Sequence, residues 1–226
     1  MAEAAIRTNR QPDEVTLVAV SKTHPAETIR EAIAAGVKDL GENRVQEADA
    51  KIPEVGRNAA RWHLIGHLQS NKARRAVELF DVIHALDSAA LVQRLDRVCR
   101  EVKREELPVL SQVDLGQETT KSGAAESEVP EIIEAIRQSQ AVRFRGLMTL
   151  PPYFDDPERV RPFFRRLREF RDELRDHGAF GETRGELSMG MTHYYEVAIE
   201  EGATIVRVGT AIFGEREAKA PTEEVS

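Results

Sequence analysis

Three groups of residues have the chemistry of a reactive site. The first is Lys22, in the stretch LVAVSKTHP from Leu17 to Pro25. An apolar, β-branched run delivers a single amine, and a proline closes the segment three residues later. Partial burial beside a cation disfavours the ammonium form, so such an amine loses its proton more readily than a solvated lysine. It can then attack a carbonyl carbon and form a Schiff base. The second group is LSMGM, with Ser188 and Gly190 just ahead of the helical stretch THYYEVAIEEG. The third is VRVGTAIFG, with Gly209 and Thr210. Small residues at a helix start or in a tight loop let backbone N–H groups converge on an anion such as a phosphate.

For these groups to act together, the chain must bring residues 22, 188 and 210 to one place. The sequence alternates short β-branched runs with helical periods. Strands are predicted at 15–20, 39–42, 62–66, 82–87, 108–115, 143–150, 185–189 and 204–210. Helical stretches lie between them, including AETIREAIAAG, SAALVQRLDRVCREVKRE, VPEIIEAIRQS and ERVRPFFRRLREFRDELRDHG. Gly36 and Gly178 fall where helix C-caps belong. Eight strand–helix units in about 200 residues predict an α/β fold with a single (β/α)8 barrel. An open doubly wound sheet would carry a glycine-rich turn after its first strand, and VSKTHP is no such turn.

In a barrel, Lys22, Asn43, His67, Asp87, Asp114, Thr149, Ser188 and Thr210 lie at or just past the C-terminal ends of strands. That face is where barrel enzymes keep their sites, and the loops after strands seven and eight are the usual place for a phosphate. A lysine and a phosphate cradle in one mouth point to pyridoxal 5'-phosphate (PLP). A barrel whose lysine takes a sugar or keto acid, as in aldolases, is the other chemistry these residues allow.

The 226-residue chain is 41% hydrophobic with a net charge of -7, which suits a soluble acidic protein and argues against nucleic-acid or membrane partners. The most basic stretch, RPFFRRLREFRDELRD, alternates its charges along a helical period and reads as a solvated helix face. Cys99 is the single cysteine. It falls on the helical pattern RLDRVCREV as a core thiol, and with no secretory signal or spanning run the expected location is the cytoplasm.

The strings LVAVSKTHP, LGENRVQEA, WHLIGHLQSNK, DLGQETTKSG, GLMTLPP, LSMGM and VRVGTAIFGER span nearly the whole chain. They resemble those of the pyridoxal phosphate homeostasis proteins, single-domain PLP binders similar to the barrel half of alanine racemase, the third PLP fold type. The resemblance implies that Lys22 carries the Schiff base and that Ser188, Gly209 and Thr210 hold the phosphate. It further implies that Arg207 faces the pyridine nitrogen and that Asn43 and Met148 line the pocket. His67 sits in the family's GHLQSNK string. The implied role is PLP binding in vitamin B6 and amino-acid homeostasis without strong catalysis, with PLP-dependent apo-enzymes as partners. A PLP-dependent racemase or lyase is the alternative.

The alternation of TIVRVG sends Arg207 to the opposite side of its strand from Val206 and Val208. An arginine keeps its proton, so a pyridine nitrogen facing it stays largely unprotonated and the ring is a poor electron sink. Racemisation needs acid–base groups on both faces of the substrate carbon. Alanine racemase completes the second face with a tyrosine, an added β domain and a partner subunit. None of Tyr153, Tyr194 and Tyr195 matches that tyrosine by position, and a chain without the β domain is expected to be a monomer. The expected organisation is one domain over 1–226, with 1–14 a shortened form of the family's opening helix and 214–226 a polar tail. After SMGM the family usually has an aspartate where this chain has Tyr194. Thr192 is expected to cap the helix that follows, and the Tyr194 ring to pack over the barrel rim.

Overall fold

In the computed structural model, residues 1–116 and 122–214 are described. Residues 117–121, within the DLGQETTKSG string, and the expected tail from 215 onward lie outside the described residues. Eight parallel strands close in chain order: β1 (Thr16–Val20), β2 (Asp39–Glu42), β3 (Arg61–Leu64), β4 (Val82–Leu86), β5 (Leu107–Gln112), β6 (Val142–Met148), β7 (Glu186–Met191) and β8 (Ile205–Val208). β8 pairs back onto β1, with Val18 opposite Arg207 and Ala19 opposite Val208. Closure removes both sheet edges and excludes the open doubly wound alternative.

Helices α1 (Ala2–Arg7), α2 (Ala26–Ala34), α3 (Val45–Val55), α4 (Ala73–Leu79), α5 (Ala89–Glu101), α6 (Val129–Gln138), α7 (Arg161–Asp176), α8 (Tyr195–Glu200) and α9 (Thr210–Phe213) surround the barrel. The longer ones lay an apolar stripe on the strands. On α7 the buried residues Phe164, Leu167, Phe170 and Leu174 recur every three to four positions. The outward arginines of that helix are answered by carboxylates, as in the Arg166 pairs with Glu126 and Glu173. The basic stretch is thus a solvated, ion-paired face. Cys99 is buried on the inner face of α5, as expected. Gly36 and Gly178 follow the caps of α2 and α7 with φ of 104° and 74°. Left-handed backbone there favours glycine.

The core has two parts. The large cluster lies between strands and helices. A small separate cluster joins Val18, Val82, Ala85, Leu110, Met148 and Ile205, from five different strands. These side chains fill the barrel lumen, so the barrel is packed and the site sits on top of it. The structure shortens several predicted strands. β5 stops at Gln112, and Val113 is left in an isolated bridge with Ala124. β8 stops at Val208, so Gly209 and Thr210 open α9 rather than end the strand.

Candidate functional site

Lys22 lies two residues past β1, and both of its neighbours are tied down. The Ser21 N–H donates to Gly41 O at 3.0 Å, and the Ser21 hydroxyl donates to Glu42 Oε1 at 2.7 Å. The Thr23 N–H donates to the Glu47 carboxylate, and Thr23 holds a φ of 69°. That left-handed backbone costs a non-glycine residue roughly 1–2 kcal/mol and persists only where its surroundings enforce it. Lys51 ties the arrangement together. Its ammonium, almost fully buried, donates to Ser21 O (2.8 Å), Glu42 Oε1 (2.8 Å) and Glu47 Oε1 (2.9 Å), which uses all three of its protons. Burial pushes the Glu42 carboxyl above its usual range against the pull of Lys51. Its Oε2 is buried without a hydrogen-bond partner among the described residues. Lys22 therefore rides on a rigid loop with a cation and a desolvated carboxyl beneath it.

Next to this loop lies the β8–α9 junction. A Cβ placed on Gly209 would sit 3.4 Å from Val20 O and 3.5 Å from Val20 Cβ, so the junction abuts the end of β1. The His24 and Phe213 rings stack at 4.9 Å and join the Lys22 loop to α9. The Gly209 N–H donates to Thr192 Oγ1 at 3.3 Å. The expected cap by Thr192 is therefore not made. α8 starts later, at Tyr195, and the hydroxyl turns instead to the β8–α9 backbone. First-turn amides of a helix have no partner within the helix, so Thr210 and its successor present N–H groups beside this hydroxyl. Gly190 enables the approach. Its φ is 90°, and a Cβ there would lie 2.5 Å from Ala198 Cβ.

Tyr194 is buried, where the sequence leads us to expect its ring to lie over the rim. Its hydroxyl accepts from the Phe154 N–H at 2.6 Å and donates to Phe154 O at 2.7 Å, bracing the loop after β6. Tyr195 bonds Glu196 on its own helix, and Tyr153 is exposed against His193.

Arg207 lies inside the lumen, 2% exposed. It donates to Ser188 Oγ at 2.5 Å and to Thr149 O at 2.8 Å, and it makes no ion pair among the described residues. Burial alone pulls its guanidinium down to about 10, so it remains a cation at neutral pH. Ser188 departs from the phosphate role expected of it. Its hydroxyl is fully buried between Arg207 and His84 Nδ1, below the β8–α9 junction, because β7 alternation points residue 188 into the lumen. The hydroxyl at the junction belongs to Thr192. Met148 is fully buried in the lumen cluster. Asn43 and His67 lie on the β2–β3 side of the mouth, where they line an open cleft of about 580 Å³ with Arg44, Gln69 and Lys72. His67 pairs with Asp87 at 3.2 Å. Thr149 donates its hydroxyl to Val113 O at 3.0 Å, so it braces the loop after β5. Sequence reasoning missed Lys51, Glu42, His63 and His84. The signal for the two histidines was present: polar residues at inward positions of the predicted strands WHLIG and VIHALD.

This is a closed parallel barrel with a lysine and a helix-opening glycine side by side at its mouth and a buried arginine below. The alanine racemase N-terminal domain family matches residues 4–217. The alanine racemase of Clostridium difficile 630 shares the fold, with a TM-score of 0.69 at 16% identity over all of this chain and 57% of that one. PipY of Synechococcus elongatus PCC7942, in a structure with PLP bound, matches with a TM-score of 0.81 at 42% identity, covering 94% of this chain and 99% of PipY. Fold and site thus define a barrel of the alanine racemase N-terminal class. Curated relatives narrow the class. The pyridoxal phosphate homeostasis protein of Aquifex aeolicus (strain VF5) is 43% identical over 215 residues, 95% of this chain and 92% of the relative. That of Escherichia coli (strain K12) is 41% identical over 224 residues, 96% and 92%. The chain belongs to the pyridoxal phosphate homeostasis protein family.

Proposed function

We propose that this chain binds PLP through a Schiff base to Lys22 and serves in PLP and amino-acid homeostasis without strong catalysis of its own. The observation that carries this reading is Arg207. It is a fully buried cation whose partners among the described residues are a hydroxyl and a carbonyl, at the same end of the barrel as Lys22 and the Gly209–Thr210 amides. A ligand with an anionic group at one end and a basic ring nitrogen suits that layout, and PLP has both. Gly209 supports the fit. Its φ of -113° is open to any residue and a Cβ would meet only ordinary contacts, so the fold does not require glycine there. Close approach of a ligand to the backbone does.

In this reading the amides of the β8–α9 junction and Thr192 bind the phosphate, and Lys51 and Glu47 hold the Lys22 loop. Arg207 keeps the ring nitrogen unprotonated. Bound PLP supplies an electron sink to an amino group attached to it, and an unprotonated ring weakens that sink. The tyrosines support the same conclusion. Tyr194 is committed to Phe154 and Tyr195 to Glu196, so neither hydroxyl is aimed at the mouth. Handing PLP to apo-enzymes as a cytoplasmic monomer belongs to the same proposal.

PLP titration of the purified protein, followed by an amino-acid panel, tests it. A yellow, saturable complex with no sustained turnover is expected. Lys22-dependent racemisation or elimination at enzyme-like rates would favour the PLP-enzyme alternative.

A further inference from the structure

β4 and β7 are three strands apart in the closed barrel, yet His84 Nδ1 and Ser188 Oγ lie 2.9 Å from each other. Only a contact across the lumen can do this. It belongs to a longer chain. Arg207 on β8 donates to Ser188 Oγ at 2.5 Å. His84 Nε2 lies 2.8 Å from His63 Nδ1 on β3, and His63 Nε2 lies 2.9 Å from Asp39 Oδ1 on β2. The four inner residues are at most 2% exposed. Asp39 is the first residue of β2, so it sits at the N-terminal end of the barrel, opposite the Lys22 mouth.

The protons of this chain can be assigned from its two ends. A guanidinium only donates, so Ser188 accepts from Arg207. An ionised carboxylate only accepts, so His63 presents Nε2–H to Asp39. His63 Nδ1 is then a lone pair and requires Nε2–H on His84. His84 Nδ1 in turn accepts the one proton of Ser188. Every donor points from Arg207 towards Asp39. The reverse order would set two lone pairs against each other at Asp39, and a charged imidazole would add a second buried cation beside Arg207. Burial keeps both imidazoles neutral, with pKa values below the usual histidine range.

We propose that Asp39, His63 and His84 are positioning residues that hold Arg207 in place and answer its charge through this one-way chain, linking the far end of the barrel to the cofactor site. The effect on PLP rests on the reading that Arg207 faces the cofactor ring; the chain itself does not. A buried cation needs a compensating charge or dipoles, and hydrogen bonds in series polarise one another in a low-dielectric interior. The Arg207 counter-charge therefore lies four hydrogen bonds away instead of in contact.

The test is long-range 1H–15N NMR of the histidine rings in the full-length protein, with and without PLP, for wild type, Asp39→Asn and Asp39→Leu. In the wild type both His63 and His84 should be neutral Nε2–H tautomers near neutral pH. Asp39→Asn, which still offers an acceptor, should keep both tautomers. Asp39→Leu should change the tautomer balance of His63, move the His84 resonances, and weaken PLP at least fivefold, the lower range of site-to-site coupling. Asp39→Asn should restore most of that affinity. An Nδ1–H or cationic His84 in the wild type would overturn the chain. His84 resonances or PLP affinity unmoved in Asp39→Leu would overturn the coupling. If the tautomers are as assigned and the protein takes up no PLP, the chain stands and the cofactor reading falls.

Discussion

Replacing Tyr194 by phenylalanine should loosen the loop after β6 and leave the cofactor site intact. The hydroxyl accepts from the Phe154 N–H at 2.6 Å and donates to Phe154 O at 2.7 Å, while the ring is 1% exposed. Each hydrogen bond contributes a net ~0.5–1.5 kcal/mol, so Tyr194→Phe should cost about 1–3 kcal/mol. For a chain of this size a loss of about 2 kcal/mol lowers Tm by roughly 4–8 °C. Tyr194→Asp should cost more. It removes a buried ring, worth about 3–5 kcal/mol, and puts a carboxylate where that ring is buried. Urea unfolding measures both variants, with m unchanged for Tyr194→Phe. PLP affinity of Tyr194→Phe should stay within about threefold, under ~0.7 kcal/mol. A stability loss below about 0.3 kcal/mol, or a PLP loss above about tenfold, would refute the separation of brace from cradle.

Gly190→Ala should cost about 2–4 kcal/mol, from a Cβ 2.5 Å from Ala198 Cβ at a φ of 90°. Gly36→Ala, at a φ of 104° with open space around it, should cost only ~1–2 kcal/mol; equal losses in thermal melts would contradict the packing argument. Acid should destabilise the fold through His63 and His84, whose folded pKa values lie below the ordinary 6.5. The unfolded chain binds more protons below pH 6.5, so stability is complete above that pH and declines beneath it, by up to roughly 2.7 kcal/mol per pH unit for two groups. Unfolding free energies between pH 5 and 8 check the slope, and a flat profile would contradict neutral buried rings. Lys51→Met should cost about 3–5 kcal/mol by leaving Glu42 buried and unpaired. Glu42→Gln in the same chain should recover part of it, as read by denaturant midpoints.

Much of the fold was legible because β-branched runs and helical periods are local signals. All eight strands lie where the runs of VTLVAV, WHLIG and TIVRVG put them, and their ends differ by a few residues. The placement of Lys22 and the helix-opening Gly209 followed from the barrel rule that strand ends share a face. What stayed hidden depends on register across the barrel. His84 reads as a lone histidine in VIHALD until β4 is seen opposite β7. Ser188 reads as a cradle hydroxyl until β7 alternation turns it into the lumen, and Thr192 as a helix cap until Gly209 meets it. Lys51 sits on α3 in a stretch of ordinary helical polarity, and only the fold brings it under Ser21.

The attachment point of the cofactor can be read directly. Purified protein incubated with PLP and reduced with borohydride should carry one stable pyridoxyl group, and peptide mass mapping should locate it on Lys22. Lys22→Ala should fold normally and retain no adduct. A reduced adduct on Lys72 or another lysine, or one that persists in Lys22→Ala, would contradict the assignment of the barrel mouth as a Lys22-centred PLP site.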